Sequence, residues 1–201
     1  MKRILLFTIL VYTTLSGFSQ SQWYYYAEEF YFVKEVSVKE FRGKNFRYEI
    51  AVNQNPSDTL SKVRIHGINV GNGKEEYINS DFTLESRKEQ EWTIYTIAGV
   101  VDNSATRLWF YSAVNGNGKF YFDDISFYIE QEPGQWKQVV LPNTSFETKS
   151  RNIFDGFYVS KRSSRTLTTQ VSNSVYKTGS RSLEVICTQQ QPASLLTTTL
   201  K

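Results

Sequence analysis

The chain has 201 residues, a formal net charge of +3, one cysteine, one histidine and 15% aromatic side chains. A single cysteine excludes an intrachain disulfide, and one cysteine with one histidine excludes a zinc site built from those ligands. With Lys2 and Arg3 set aside the charge is nearly balanced, which leaves no electrostatic case for nucleic acid. The densest basic run, Lys161, Arg162 and Arg165, reads as a solvated loop.

The first element is MKRILLFTILVYTTLSGFSQ: a short basic start, an apolar stretch from Ile4 to Val11, then Gly17 and Ser19. This pattern predicts a secretory signal peptide over 1–20, and with it a secreted, periplasmic or cell-surface protein. No later run approaches the roughly 18 apolar residues of a membrane-spanning helix, so no span is expected in the mature chain.

From Trp23 onward the periodicity is two. Strands are predicted at 24–33, 75–84, 91–98, 106–114 and 119–129. The clearest is Phe46-Arg47-Tyr48-Glu49-Ile50-Ala51-Val52, where Phe46, Tyr48, Ile50 and Val52 share one face. Val63 and Ile65 alternate with Arg64 and His66, and a phase slip at Gly67 predicts a bulge there. Turn residues separate these runs, including Asn55-Pro56-Ser57-Asp58, Gly71-Asn72-Gly73-Lys74, Asp102-Asn103-Ser104 and Asn115-Gly116-Asn117-Gly118. Short strands at this spacing predict an all-β sandwich or barrel. Gln131-Glu132-Pro133-Gly134 then reads as a break, with 21–130 as one module, 131–135 as a linker, and 136–201 as a second β unit carrying strands at 136–141, 166–171 and 181–187.

One strand raises a specific question. In Phe120-Tyr121-Phe122-Asp123-Asp124-Ile125-Ser126-Phe127, simple alternation puts Asp123 on the face of Ile125, Phe127 and Ile129, and Asp124 on the face of Ser126 and Tyr128. A carboxylate aligned with a core stripe needs a partner. Either a hard cation held by oxygen ligands or a set of backbone hydrogen bonds would serve.

The stretch Ala105-Thr106-Arg107-Leu108-Trp109-Phe110, the glycine turn and Phe120–Phe127 resemble the closing hairpin of jelly-roll carbohydrate-binding modules with the galactose-binding-like fold. Glu91-Trp92-Thr93-Ile94-Tyr95 resembles the strand preceding that hairpin. In the second unit, Asn143-Thr144-Ser145-Phe146-Glu147 is similar to the family's opening Asn-x-x-Phe-Glu, and Tyr176-Lys177-Thr178-Gly179-Ser180-Arg181-Ser182-Leu183 to its later Tyr-x-Gly-x-x-Ser-Leu segment. The resemblance implies an antiparallel jelly-roll β-sandwich and a structural calcium ion held by Asp123 and Glu147, with Glu28 or Glu29 as a stand-in for the first module's missing glutamate. It also implies one module followed by an incomplete second. The first lacks a clear opening motif and the later Tyr-x-Gly-x-x-Ser-Leu segment, and the second lacks the closing hairpin, as in the N-terminal piece of a longer protein or the product of a truncated gene.

Catalytic constellations are absent from the pattern. His66 and Cys187 lie far apart in sequence and stand in no nucleophile motif. The adjacent pairs Glu28-Glu29, Glu75-Glu76 and Asp123-Asp124 splay apart on strands, whereas a glycosidase needs two carboxyl groups facing each other. Aromatics are the remaining resource, because sugar C–H faces stack on rings. If Leu108 and Phe110 face the core, Trp109 and Tyr111 form an aromatic face, with Arg64 and His66 as polar neighbours. The expectation is a noncatalytic module binding glycan or polysaccharide. The rival is a structural or protein-interaction region at the N-terminus of a larger secreted hydrolase or peptidase.

Overall fold

The alternating runs do form strands. In the computed structural model, which describes residues 29–71, 76–78, 82–148, 152–160 and 166–188, almost every element is extended. The strands are β1 (Glu29–Ser37), β2 (Asn45–Pro56), β3 (Lys62–Gly71), β4 (Glu76–Ile78), β5 (Thr83–Glu89), β6 (Trp92–Val100), β7 (Ala105–Asn115), β8 (Asn117–Glu132), β9 (Gln135–Val139), β10 (Tyr158–Val159), β11 (Leu167–Ser172) and β12 (Ser182–Thr188). One turn of 3-10 helix at Lys39–Phe41 joins β1 to β2. All described pairings are antiparallel. The first sheet has the order β10-β1-β7-β3-β4; the second runs β11-β12-β8-β2-β6-β5, with β9 paired to β8.

The two sheets pack face to face as an all-β sandwich, because each strand sends one set of side chains inward. Phe32 of the first sheet meets Phe122 of the second edge-on at 5.1 Å between ring centroids. Phe110 stacks on Tyr48 across the layer at 4.0 Å, and Phe46 lies 5.8 Å from Phe110. Each such ring contributes about 1.5–3 kcal/mol through burial. Val52, Leu108, Ile129, Leu183 and Val185 fill the space between them.

Three expectations change. Gly67 is not a bulge: β3 keeps its phase there, and the register shift falls between Val70 and Gly71. A Cβ at Gly67 would sit 3.0 Å from the Phe82 ring and 3.3 Å from that of Phe110, so glycine leaves room for core rings. The run predicted at 75–84 divides into β4 and β5, which belong to different sheets. The turn Asn115–Gly118 does not close a hairpin, since β7 lies in the first sheet and β8 in the second; it is a crossover between layers. It is packed tightly on the β2–β3 connection. A Cβ at Gly118 would lie 2.5 Å from the Asn55 carbonyl oxygen, and its φ of +128° independently demands glycine.

The segment expected as a linker is β8 running through Glu132, a turn at Pro133-Gly134, and β9 folding back on β8. Beyond it, β12 pairs with β8 and β10 pairs with β1, so the described strands after residue 135 enter the same two sheets. All described residues fall within one compact unit. The signal peptide expected at 1–20 lies outside the described residues. Among the described residues no helix is long and apolar enough to cross a membrane.

Lys34 departs from the inward apolar pattern of β1. It is 1% exposed, and its Nζ donates to the Pro142 carbonyl and, at 3.1 Å, to that of Gly156, while lying 4.2 Å from the Phe157 ring centre. The ammonium therefore pins Pro142 and Gly156 to β1. Burial lowers its pKa from 10.5 to about 8, partly opposed by Asp155. Because the folded state binds fewer protons than the unfolded one between these values, wild-type stability relative to Lys34→Met is expected to rise from about pH 8 to pH 10.5 and to fall on the way back. Urea melts at half-unit pH steps measure this. Separately, a chain ended after Val140 lacks Phe146, Leu183, Val185 and Cys187 of the core. Its unfolding, followed by circular dichroism in urea, is expected to lose the cooperative transition of the full chain.

Candidate functional site

The question posed by Asp123 and Asp124 resolves through backbone geometry. The two side chains do not follow simple alternation. Asp124 has φ of +49°, and between Glu49 and Ala51 of β2 the strand β8 carries one extra residue: Glu49 pairs with Ser126, and Ala51 with Asp123. This is a β-bulge, and aspartate is among the residues that tolerate the left-handed region. The bulge changes phase. Phe120 and Phe122 face the core before it, Ile125, Phe127 and Ile129 after it, and Asp123 falls on the opposite side with Tyr121 rather than on the stripe of Ile125.

Asp123 is nevertheless fully buried, because the 173–181 connection covers it. Its Oδ1 accepts the Asp124 N–H at 2.8 Å; its Oδ2 accepts the N–H groups of Lys177 at 2.8 Å and Thr178 at 3.3 Å. Thr178 Oγ1 donates to Asp124 Oδ1. Glu147 grips the same connection further along, accepting from Ser180 N–H at 2.7 Å, Arg181 N–H at 2.8 Å and Ser180 Oγ at 2.9 Å. Lys177 adds a contact of 2.9 Å to Glu89 and one of 3.8 Å to Asp124. Segments assigned by sequence to two modules thus meet at one place: Asp123 and Asp124 from before residue 130, Glu147 and 177–181 from after it.

The donor set bears on the implied calcium ion. The carboxylates of Asp123 and Glu147 are matched to N–H and O–H donors, which a cation would have to displace. Among the described residues no three His, Cys, Asp or Glu side chains gather as metal ligands, and Glu28 lies outside the described residues. The geometry therefore fits carboxylates that cap a loop.

The second cluster lies on the outer face of the first sheet. The register aligns His66, Tyr111, Val33 and Tyr158 in one row across four strands, with Ile68, Trp109 and Glu35 in the next. Since β7 alternates strictly here, Leu108 and Phe110 point into the core and Trp109 and Tyr111 point out. The His66 and Tyr111 rings stack at 4.6 Å with planes 6° apart. Tyr31 lies 5.9 Å from Tyr111, and Trp109 lies 6.4 Å from both Tyr111 and Tyr158. Tyr31 is 39% exposed and Tyr158 58%. Arg64 is exposed at the neighbouring position of β3, in register with Ala113. The four residues singled out by sequence therefore share one face. Tyr31, Tyr158 and Glu35 join them. Tyr31 was legible, being in phase with Glu35 on β1, but Tyr158 sits on a two-residue strand too short to show a period.

The fold and these two clusters define a class, an antiparallel all-β sandwich domain with an aromatic outer face. No protein-family model, curated protein or solved structure matches the chain.

Burial raises the Asp123 carboxyl from 3.8 to about 6 against the lowering effect of its N–H donors. The folded state thus holds a proton that the unfolded state releases, and the contribution of Asp123 is largest below about pH 3.8 and is lost as pH rises through 6. Urea melts of wild type against Asp123→Asn are expected to show the wild-type advantage shrinking across this window. Asp123→Ala, which strands three N–H groups, is expected to cost about 2–4 kcal/mol near pH 4 and less as pH rises through 6.

Proposed function

We propose that this chain is a secreted, noncatalytic binding domain that takes up glycan on the outer face of the first sheet, as the resemblance to carbohydrate-binding modules implies. The observation that carries this reading is the row of His66, Tyr111 and Tyr158 across four strands with Trp109 beside it. Adjacent strands lie about 4.8 Å apart, so the row, with His66 and Tyr111 on neighbouring strands and Tyr158 beyond Val33, is broad enough for more than one sugar ring. Pyranose C–H faces stack on such rings, and the polar groups around them, Arg64 and His66, serve hydroxyls. The mechanism is passive. The rigid core holds the face, and the ligand binds without a change of fold.

The side chains of this face are dispensable for the core, which separates binding from folding. Trp109→Ala and Tyr111→Ala are each expected to weaken glycan binding roughly tenfold or more while shifting the urea midpoint little. A glycan array followed by affinity electrophoresis, with urea melts on the same samples, checks both halves. A folded wild-type domain that binds nothing on the array overturns this reading and turns the assignment to the rival, an interaction domain appended to a larger secreted hydrolase or peptidase.

A further inference from the structure

We propose that Glu35 is a positioning residue of this face, setting the orientation of the Trp109 indole before a ligand arrives; the inference rests on the glycan reading above. Glu35 stands directly opposite Trp109 in the β1–β7 register. Its Oε2 accepts the Trp109 Nε1–H at 2.7 Å and an N–H of the Arg107 guanidinium at 3.2 Å. Arg107 in turn lies 5.7 Å from the Trp109 ring centre. One carboxylate oxygen therefore fixes both the plane of the indole and the cation beside it.

An outward-pointing indole has more than one rotamer, and stacking a sugar on it requires one orientation. A charge-assisted bond to the indole N–H removes that freedom in advance, so the ordering cost is not charged to binding. Glu35 and both of its partners point outward from the sheet and none of them belongs to the core cluster. Its bonds act on the face.

The test uses the full chain, the variants Glu35→Ala and Glu35→Gln, and soluble xylan, mixed-linkage β-glucan and galactan in affinity gels. Near-ultraviolet circular dichroism of Trp109, isolated by difference from Trp109→Phe, reads the indole directly. Glu35→Ala is expected to lose about tenfold in affinity for whichever of these polysaccharides retards wild type, and to lose most of the Trp109 band. Glu35→Gln, whose amide oxygen still accepts the indole N–H, is expected to restore most of both. Wild-type affinity or an unchanged Trp109 band in Glu35→Ala overturns the positioning role. If none of the three retards wild type, the glycan reading loses its support, and the Trp109 band alone decides whether Glu35 orients the ring.

Discussion

The strand Asn117–Glu132 must satisfy three neighbours at once, and strict alternation along sixteen residues would not allow it. The core needs Phe120 and Phe122 from its first half, then Ile125, Phe127 and Ile129 from its second. The spacing from 122 to 125 is odd, so one residue has to be taken out of phase. Asp124 does this by adopting a left-handed backbone conformation, and much of the second sheet follows from it. The bulge puts the Asp123 carboxylate under the 173–181 connection and leaves the Ile125 N–H to the Thr144 carbonyl at 2.9 Å. The segments on both sides of β10 and β11 are thereby held against β8 by hydrogen bonds from a single irregularity.

The same side-chain type does two jobs in the two layers. Phenylalanines dominate the interior, where ring-on-ring contacts fill the space between sheets at near-crystalline density. Tyrosine, tryptophan and histidine dominate the outer face of the first sheet, where each presents an apolar body with a polar tip. The division follows chemistry. A buried hydroxyl or indole N–H needs a partner, and Tyr48, which does lie inside, has its hydroxyl pKa raised by burial. An outward ring keeps its polar tip at the surface and avoids that cost.

Much of the fold was legible in the sequence. The stripe Phe46-Tyr48-Ile50-Val52 and the alternation through Leu108–Tyr111 predicted both the strands and which side chains face out, because a half-buried strand writes its two environments into a period of two. The outer face was legible for the same reason. What failed was whatever the period does not encode. Gly67 looked like an interruption because its role is to yield space to Phe82 and Phe110, which come from distant positions. The turn at 115–118 read as a hairpin because its glycines are the same whether the chain turns within a sheet or steps between sheets. Asp123 was read on the wrong face because one left-handed residue inverts everything after it. The break at Pro133-Gly134 has the composition of a linker and the geometry of a tight turn.

The placement of β12 has a consequence for how the chain acquires its structure. Leu183, Val185 and Cys187 complete a core whose other walls are strands made much earlier, and β12 pairs with a strand some sixty positions before it. Contacts of such long sequence separation are closed late and slowly. During vectorial synthesis the edge of β8 that β12 takes up has no native partner until the last described strand has emerged. Until that pairing closes, the open edge of β8 is where a chaperone would engage the chain.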